Sequence, residues 1–239
     1  MSILLYKGKS EMTYETDIYK RMAGRAGADL VEDGMVIGLG TGSTAAFLVS
    51  ALAERLRGGL RIVGAVPTSQ ATAQLAGNQQ IPLVSLQHYP ELDLAIDGAD
   101  EIDPRLDLIK GAGGALLREK VVASAARRFV VIGDSAKLVP RLGERFALPV
   151  EVVPFALGPV QQHLLALGAH AQLRLQADQP FLTDNQNYIL DCHFPGGIAD
   201  AHTVQAQIRR IVGVVEHGLF LGMAHQALIA GPDGLVVLP

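Results

Sequence analysis

Apolar positions along the chain follow two alternating rhythms. Ile18, Met22, Ala26 and Leu30 stand four residues apart and predict a helix over 15–31, while residues 1–12 carry no such pattern and read as a loose extension. A short apolar run at 35–39 then leads into a glycine-rich turn. Residues 44–57 are helical again, with Ala46, Leu48, Leu52 and Leu56 available to one face. Strand, glycine turn and helix make a βα unit. Further short apolar strands are expected at 60–66, 82–86, 92–96, 106–109 and 129–132, with helices at 69–76 and 115–126. Such alternation predicts an α/β fold: a mostly parallel, Rossmann-like sheet with helices on both faces.

The rhythm changes near Phe146. A strand at 150–153, a helix at 158–167, strands at 171–175 and 188–193, a helix at 199–211 and a strand at 214–220 spell β-α-β-β-α-β, a small ferredoxin-like α+β unit. The tail, 227–229 and 235–238 around a Gly231–Gly234 turn, reads as a hairpin returning to the first sheet. Residues 1–145 and 221–239 are therefore expected to form one domain, and 146–220 a second.

Composition narrows the function. Charged residues make up 18% of the 239, below the usual ~25%, which fits a buried sheet and a subunit interface, hence a homodimer. A net charge of −4 argues against nucleic acid as a partner. No apolar window reaches the ~18 residues of a membrane span, and the short apolar start is no signal peptide, so the expectation is a cytoplasmic protein with no membrane partner. The lone Cys192 fits a reducing compartment; beside Asp191 it reads as a small buried residue rather than a nucleophile.

Four polar clusters fall at predicted strand ends, where open α/β sheets bind ligands. GLGTGST at 38–44 combines close-approach glycines, three hydroxyls and a helix start; it suits a phosphate as well as an ordinary glycine turn. It lacks the third glycine of a dinucleotide loop and the lysine of a P-loop. DGADEID at 97–103 places four acids in seven residues. Paired carboxylates repel and raise one pKa into a range useful for proton transfer. A Mg²⁺ reading of Asp97 and Asp100 finds no further strand-end carboxylate in the neighbouring clusters. KGAGGALLREK at 110–120 puts Lys110 at a strand end and Glu119 early in a helix, where the Arg-Glu-Lys run also fits a solvated face. DSAK at 134–137 offers an N-cap and a cation, Lys137; Lys20 in the first helix is a further cation.

Taken in order, GLGTGSTA, IDGADEID, KGAGGALLREK and GDSAK resemble the type A ribose-5-phosphate isomerase family, from about residue 14 to the end. The resemblance implies ligand contacts at Thr41, Gly42, Ser43 and Thr44, at Asp97, Gly98, Ala99 and Asp100, and at Lys110, Gly111, Ala112 and Gly113. Lys137 is implied as a further substrate contact, Lys20 as a phosphate contact and Glu119 as the catalytic base. Asp97, Asp100 and Lys110 are expected to share the chemistry, on a small sugar phosphate, with no cofactor and no metal. Two departures are visible: Ala112 interrupts a run that in the family often has three glycines, and the N-terminal dozen residues have no clear counterpart.

Three other readings compete. An aminosugar-phosphate isomerase–deaminase would want a histidine in these clusters, and none is there. A sugar-phosphate sensor with a DNA-binding head would need more chain before the first strand. A dinucleotide oxidoreductase lacks both the third glycine and an acid after the second strand.

Overall fold

The computed structural model describes residues 9–239, with side chains from Thr16 onward. The loose extension expected over 1–12 lies outside the described residues up to position 8, and from Lys9 the chain is already helical. The first half runs α1 (Lys9–Asp29), β1 (Val36–Leu39), α2 (Ser43–Arg57), β2 (Gly64–Pro67), α3 (Gln70–Asn78) and β3 (Leu94–Asp97). There follow β4 (Glu101–Ile102), β5 (Leu108–Ile109), α4 (Leu116–Ala125) and β6 (Phe129–Asp134). The second half carries β7 (Leu148–Val152), α5 (Leu157–Ala166), β8 (His170–Leu173), β9 (Leu175–Gln176), β10 (Gln179–Pro180) and β11 (Tyr188–His193). It ends with α6 (Ala201–Ile208), β12 (Val214–His217), β13 (Leu219–Phe220), β14 (Gln226–Gly231) and β15 (Gly234–Leu238).

Six strands form the main sheet in the order β15-β14-β6-β3-β1-β2, and every neighbouring pair except β14–β15 is parallel. Every residue of β1, β3 and β6 is buried. One face meets α1 and α2 through Ala23, Leu48, Leu52, Ile96 and Ile132, and the other holds Ile102, Val122, Phe129, Val131 and Phe220. Burial on both faces explains why these strands read as unbroken apolar runs rather than alternating ones. The neighbours of β1 are β2 on one side and β3 on the other. The connections therefore leave β1 and β3 in opposite directions, and a crevice opens at their carboxyl ends.

The small sheet, β12-β7-β11-β8, is antiparallel throughout and reproduces the β-α-β-β-α-β order, with Leu164 of α5 and Ile208 of α6 in one core with Leu148, Val150 and Leu190 of the sheet. A third sheet, β13-β5-β4, joins the two. The acidic segment thus contains a strand that polar composition hides. Glu101 on β4 is fully buried, and its carboxylate accepts backbone N–H bonds from Gly143, Arg145 and Phe146 at 2.5–2.8 Å. The strand expected at 82–86 shrinks to a single bridge between Leu83 and Ala65.

Candidate active site

The crevice between β1 and β3 is where the sequence-predicted residues converge. Gly40 passes so close to the end of β3 that a Cβ there would lie 2.0 Å from Asp97 Oδ1, so only glycine fits. That oxygen accepts N–H bonds from Thr41 (3.0 Å) and Gly98 (2.7 Å), fixing the carboxylate against the loop. The Thr41 hydroxyl turns away into a hydroxyl cluster, 2.6 Å from Thr68, 2.9 Å from Ser69 and 3.1 Å from Thr72, and Thr72 in turn donates to the Gly40 carbonyl. Gly42 caps α2 at φ 112°, a left-handed conformation costly for other residues, and a Cβ there would meet nothing within 4 Å. The backbone at the start of α2 is thus open to an anion, with Ser43 and Thr44 beside it.

Three charged side chains meet beneath this loop, each almost wholly buried: Asp97, Lys110 and Glu119. Lys110 Nζ lies 3.0 Å from Asp97 Oδ2 and 3.5 Å from Glu119 Oε2, and donates to the Gly98 carbonyl at 2.5 Å. Its main chain is held from the far half of the molecule. The Lys110 N–H donates to the Gly218 carbonyl at 2.9 Å, and a Cβ on Gly218 would lie 2.2 Å from the Lys110 carbonyl. Burial raises the Asp97 pKa, with Lys110 opposing. Burial also pushes Glu119 up to about 8; Lys110 opposes this and the negative charges of Asp97 and Asp100 add to it. Lys110 itself loses affinity for its proton through burial, but Asp97 and Glu119 more than restore it, so it stays cationic. One ammonium between two carboxylates leaves a carboxyl whose proton can be taken or given near neutral pH.

The cleft above the triad, counted together with the open solvent at its mouth, spans about 470 Å³. Thr41, Gly42, Ser43, Thr44, Gly98, Ala99, Asp100, Lys110, Gly111, Ala112, Gly113, Glu119 and Lys137 line it. Asp100 Oδ2 accepts the Ala112 N–H at 2.8 Å, tying the acidic turn to the glycine run. Lys137 stands on the turn after β6, whose start Asp134 caps through the Ala136 N–H, with its ammonium 5.0 Å from the centre of the Phe146 ring. Lys20 is not among the lining residues; its ammonium lies 3.8 Å from Asp17 on the same helix.

The solvated-face reading of the Arg-Glu-Lys run does not hold, because Lys120 is buried as well as Glu119. Lys120 Nζ donates to Glu216 Oε1 (2.8 Å) and to the His217 carbonyl (2.5 Å), and lies 4.8 Å from the Phe220 ring centre. From the other side Lys110 Nζ lies 5.5 Å from the same centre. Sequence reading also missed the supporting hydroxyls Thr68, Ser69 and Thr72. Their signal was three hydroxyls in five residues just after β2, the strand beside β1. Cys192 is fully buried; burial first, and then Asp191, push its thiol up, away from reactive thiolate. Among the described residues no group of three or more His, Cys, Asp or Glu is arranged to hold a metal ion, and no helix is long and apolar enough to cross a membrane.

Comparison with known proteins gives one consistent result. Residues 64–234 match the family described as ribose 5-phosphate isomerase A (phosphoriboisomerase A). A ribose-5-phosphate isomerase A of Roseiflexus castenholzii is 57% identical over 224 residues, spanning 92% of this chain and 95% of that protein. The solved ribose 5-phosphate isomerase A of Methanocaldococcus jannaschii superposes with a TM-score of 0.89 at 41% identity, over 93% of this chain and 99% of that one. A D-ribose-5-phosphate isomerase in complex with phospho-erythronic acid gives 0.90 at 40% identity, over 93% and 98%.

Proposed function

The chain belongs to the ribose 5-phosphate isomerase A family, and from that membership we propose that it interconverts D-ribose 5-phosphate and D-ribulose 5-phosphate through a cis-enediolate, with Glu119 moving the proton. The observation that carries this reading is the buried triad, Lys110 Nζ 3.0 Å from Asp97 and 3.5 Å from Glu119, at the floor of the cleft. The Glu119 carboxylate takes the proton from C2. The C–H electron pair becomes the C1=C2 double bond, and the carbonyl π pair moves to O1, which becomes an oxyanion. Lys110, cationic and desolvated, offsets the new charge where it develops. Glu119 then returns its proton to C1 while O2 loses one and becomes the carbonyl oxygen of the ketose. Asp97, whose own proton affinity is raised, carries the proton from O2 to O1 and assists opening of the furanose; Asp100 holds substrate hydroxyls.

Ser43, Thr44, the N–H groups at the start of α2 and Lys137 anchor the phosphate, whose binding energy orients C1 and C2 over the carboxylates. The reaction as written needs no metal or cofactor. A homodimer in the cytoplasm completes the proposal, supported by the low charge content, the exposed apolar Phe155 and Val212, and the single buried thiol. Conversion of ribose 5-phosphate in D₂O tests the mechanism. Deuterium at C1 of the ribulose 5-phosphate is expected. Product that keeps its substrate hydrogen, with no solvent deuterium at C1 under any condition, would mean direct hydride transfer and end the enediolate reading.

A further inference from the structure

Arg174 follows β8 in the small sheet, yet its guanidinium reaches the loop that lines the cleft. Nη1 donates to the carbonyls of Gly111 and Ala112, each at 3.0 Å. The remaining edge of the fork is braced by Asp191 on β11, with Nε 2.9 Å from Oδ2 and Nη2 2.5 Å from Oδ1. Phe181 lies beneath the guanidinium at 5.9 Å and presses on Gly114, where a Cβ would lie 2.4 Å from Cζ. A rigid, paired fork thus clasps the start of a run that has glycine at 111, 113 and 114, positions where peptide planes turn over easily.

The consequence follows from peptide geometry. In a trans peptide unit the N–H points opposite to the C=O. The unit joining Gly111 and Ala112 obeys this visibly: its carbonyl faces Arg174, and its N–H faces Asp100 at 2.8 Å on the cleft side. The next unit has its carbonyl on the same guanidinium nitrogen, so the N–H of Gly113, a lining residue, is directed to the cleft side too. We infer that Arg174 is a positioning residue, which by holding these two carbonyls aims the Gly113 N–H at the oxygen that gains charge in the reaction. This rests on the enediolate reading above. Without the clasp, the unit joining Ala112 and Gly113 can turn and present its carbonyl oxygen to the oxyanion, which repels where the N–H attracts; the unit before it is held besides by the Gly114 N–H on the Gly111 carbonyl (3.0 Å) and by Asp100. Because Asp191 neutralises the guanidinium, Arg174 acts through the orientation of the loop rather than through its own field.

Arg174→Met and Arg174→Lys test the assignment, each assayed for turnover of ribose 5-phosphate and for binding of phospho-erythronic acid, whose planar carboxylate mimics the enediolate. Loss of an aimed donor is expected to lower kcat about tenfold to a hundredfold. KM for ribose 5-phosphate should move by less than about threefold, since the donor matters mainly to the charged intermediate. Affinity for the acid should fall in step with kcat, and millimolar guanidinium should recover part of the activity of Arg174→Met without stimulating the wild type. Wild-type kcat in either variant overturns the inference. So does an equal loss of substrate and analogue binding with no rescue by guanidinium. Should the methionine variant fail to fold, the lysine variant, with one point donor for two carbonyls, decides by the same kcat and analogue comparison. Deuterium uptake by the wild type keeps the two readings apart: its absence removes the enediolate itself, whereas its presence beside a silent Arg174 removes only this assignment.

Discussion

Gly40→Ala is the most incisive perturbation of the site, because it adds one methyl group and replaces no side chain assigned to the chemistry. The new Cβ would stand 2.0 Å from Asp97 Oδ1, 2.3 Å from its Cγ and 2.6 Å from its Cα, where contacts below 3.0 Å essentially never occur. Relief demands that the carboxylate and the loop part by at least about 1 Å, since a tightly packed core yields little elsewhere. Asp97 cannot make that move alone. Its Oδ1 holds the N–H groups of Thr41 and Gly98, and its Oδ2 faces Lys110 at 3.0 Å. Overpacking of this kind costs about 1–3 kcal/mol of stability. A displacement of about 1 Å between reacting groups costs about a hundredfold in rate. Steady-state kinetics and urea denaturation of the variant measure both: a folded enzyme with kcat lowered about a hundredfold is expected. A variant that is folded and turns over at the wild-type rate would refute the claim that Asp97, held in this position, serves the reaction.

Further outcomes follow from individual side chains. Glu119→Gln should lower kcat by about a hundredfold or more, the usual worth of a general base, with KM nearly unchanged; near-normal turnover would remove Glu119 from that role. Wild-type kcat/KM should climb with pH as Glu119 gives up a proton held up to about 8, and that limb should be missing from the residual activity of Glu119→Gln. The same shift has a thermodynamic sign. The folded protein holds this proton more tightly than an unfolded glutamate at 4.5, so stability is full below that pH and declines as pH rises towards 8. Denaturation midpoints across that interval should fall more steeply for the wild type than for Glu119→Gln. Lys137→Ala should chiefly raise KM; an effect confined to kcat would contradict a phosphate contact.

Much of this architecture is legible from local pattern, for identifiable reasons. Strands buried on both faces leave largely apolar runs, so strands are expected at 35–39, 92–96 and 129–132, and loops that must let backbone approach backbone or ligand leave glycines at 40, 42, 111 and 113. β4 is less visible because Glu101 is satisfied by three N–H groups more than forty residues away, and local polarity cannot reveal that. Lys120 is hidden for the same reason. Its partners Glu216 and His217 lie nearly a hundred residues downstream, on the strand that covers what would otherwise be an exposed helix face. The segment at 82–86 failed in the opposite direction: it is apolar enough for a strand, but pairs with β2 only around Ala65. Lys20 stands out in the sequence only as a further cation, its phosphate role comes from the resemblance, and it does not line the cleft.

The bond between the Lys110 N–H and the Gly218 carbonyl also bears on when the enzyme becomes an enzyme. Every residue assigned to the cleft lies within the first 137 positions. Yet the support that sets the height of Lys110 arrives only with β12 and β13, as do the anchors of Lys120 and the ring of Phe220. During synthesis from the N-terminus, a ribosome-bound chain can carry all its reactive groups for more than eighty further residues while the ammonium still lacks the support that holds it between the two carboxylates. Assembly of the floor proposed for catalysis thus comes well after its charged groups have been made, once the small sheet has brought its own far strand back to the mouth of the first.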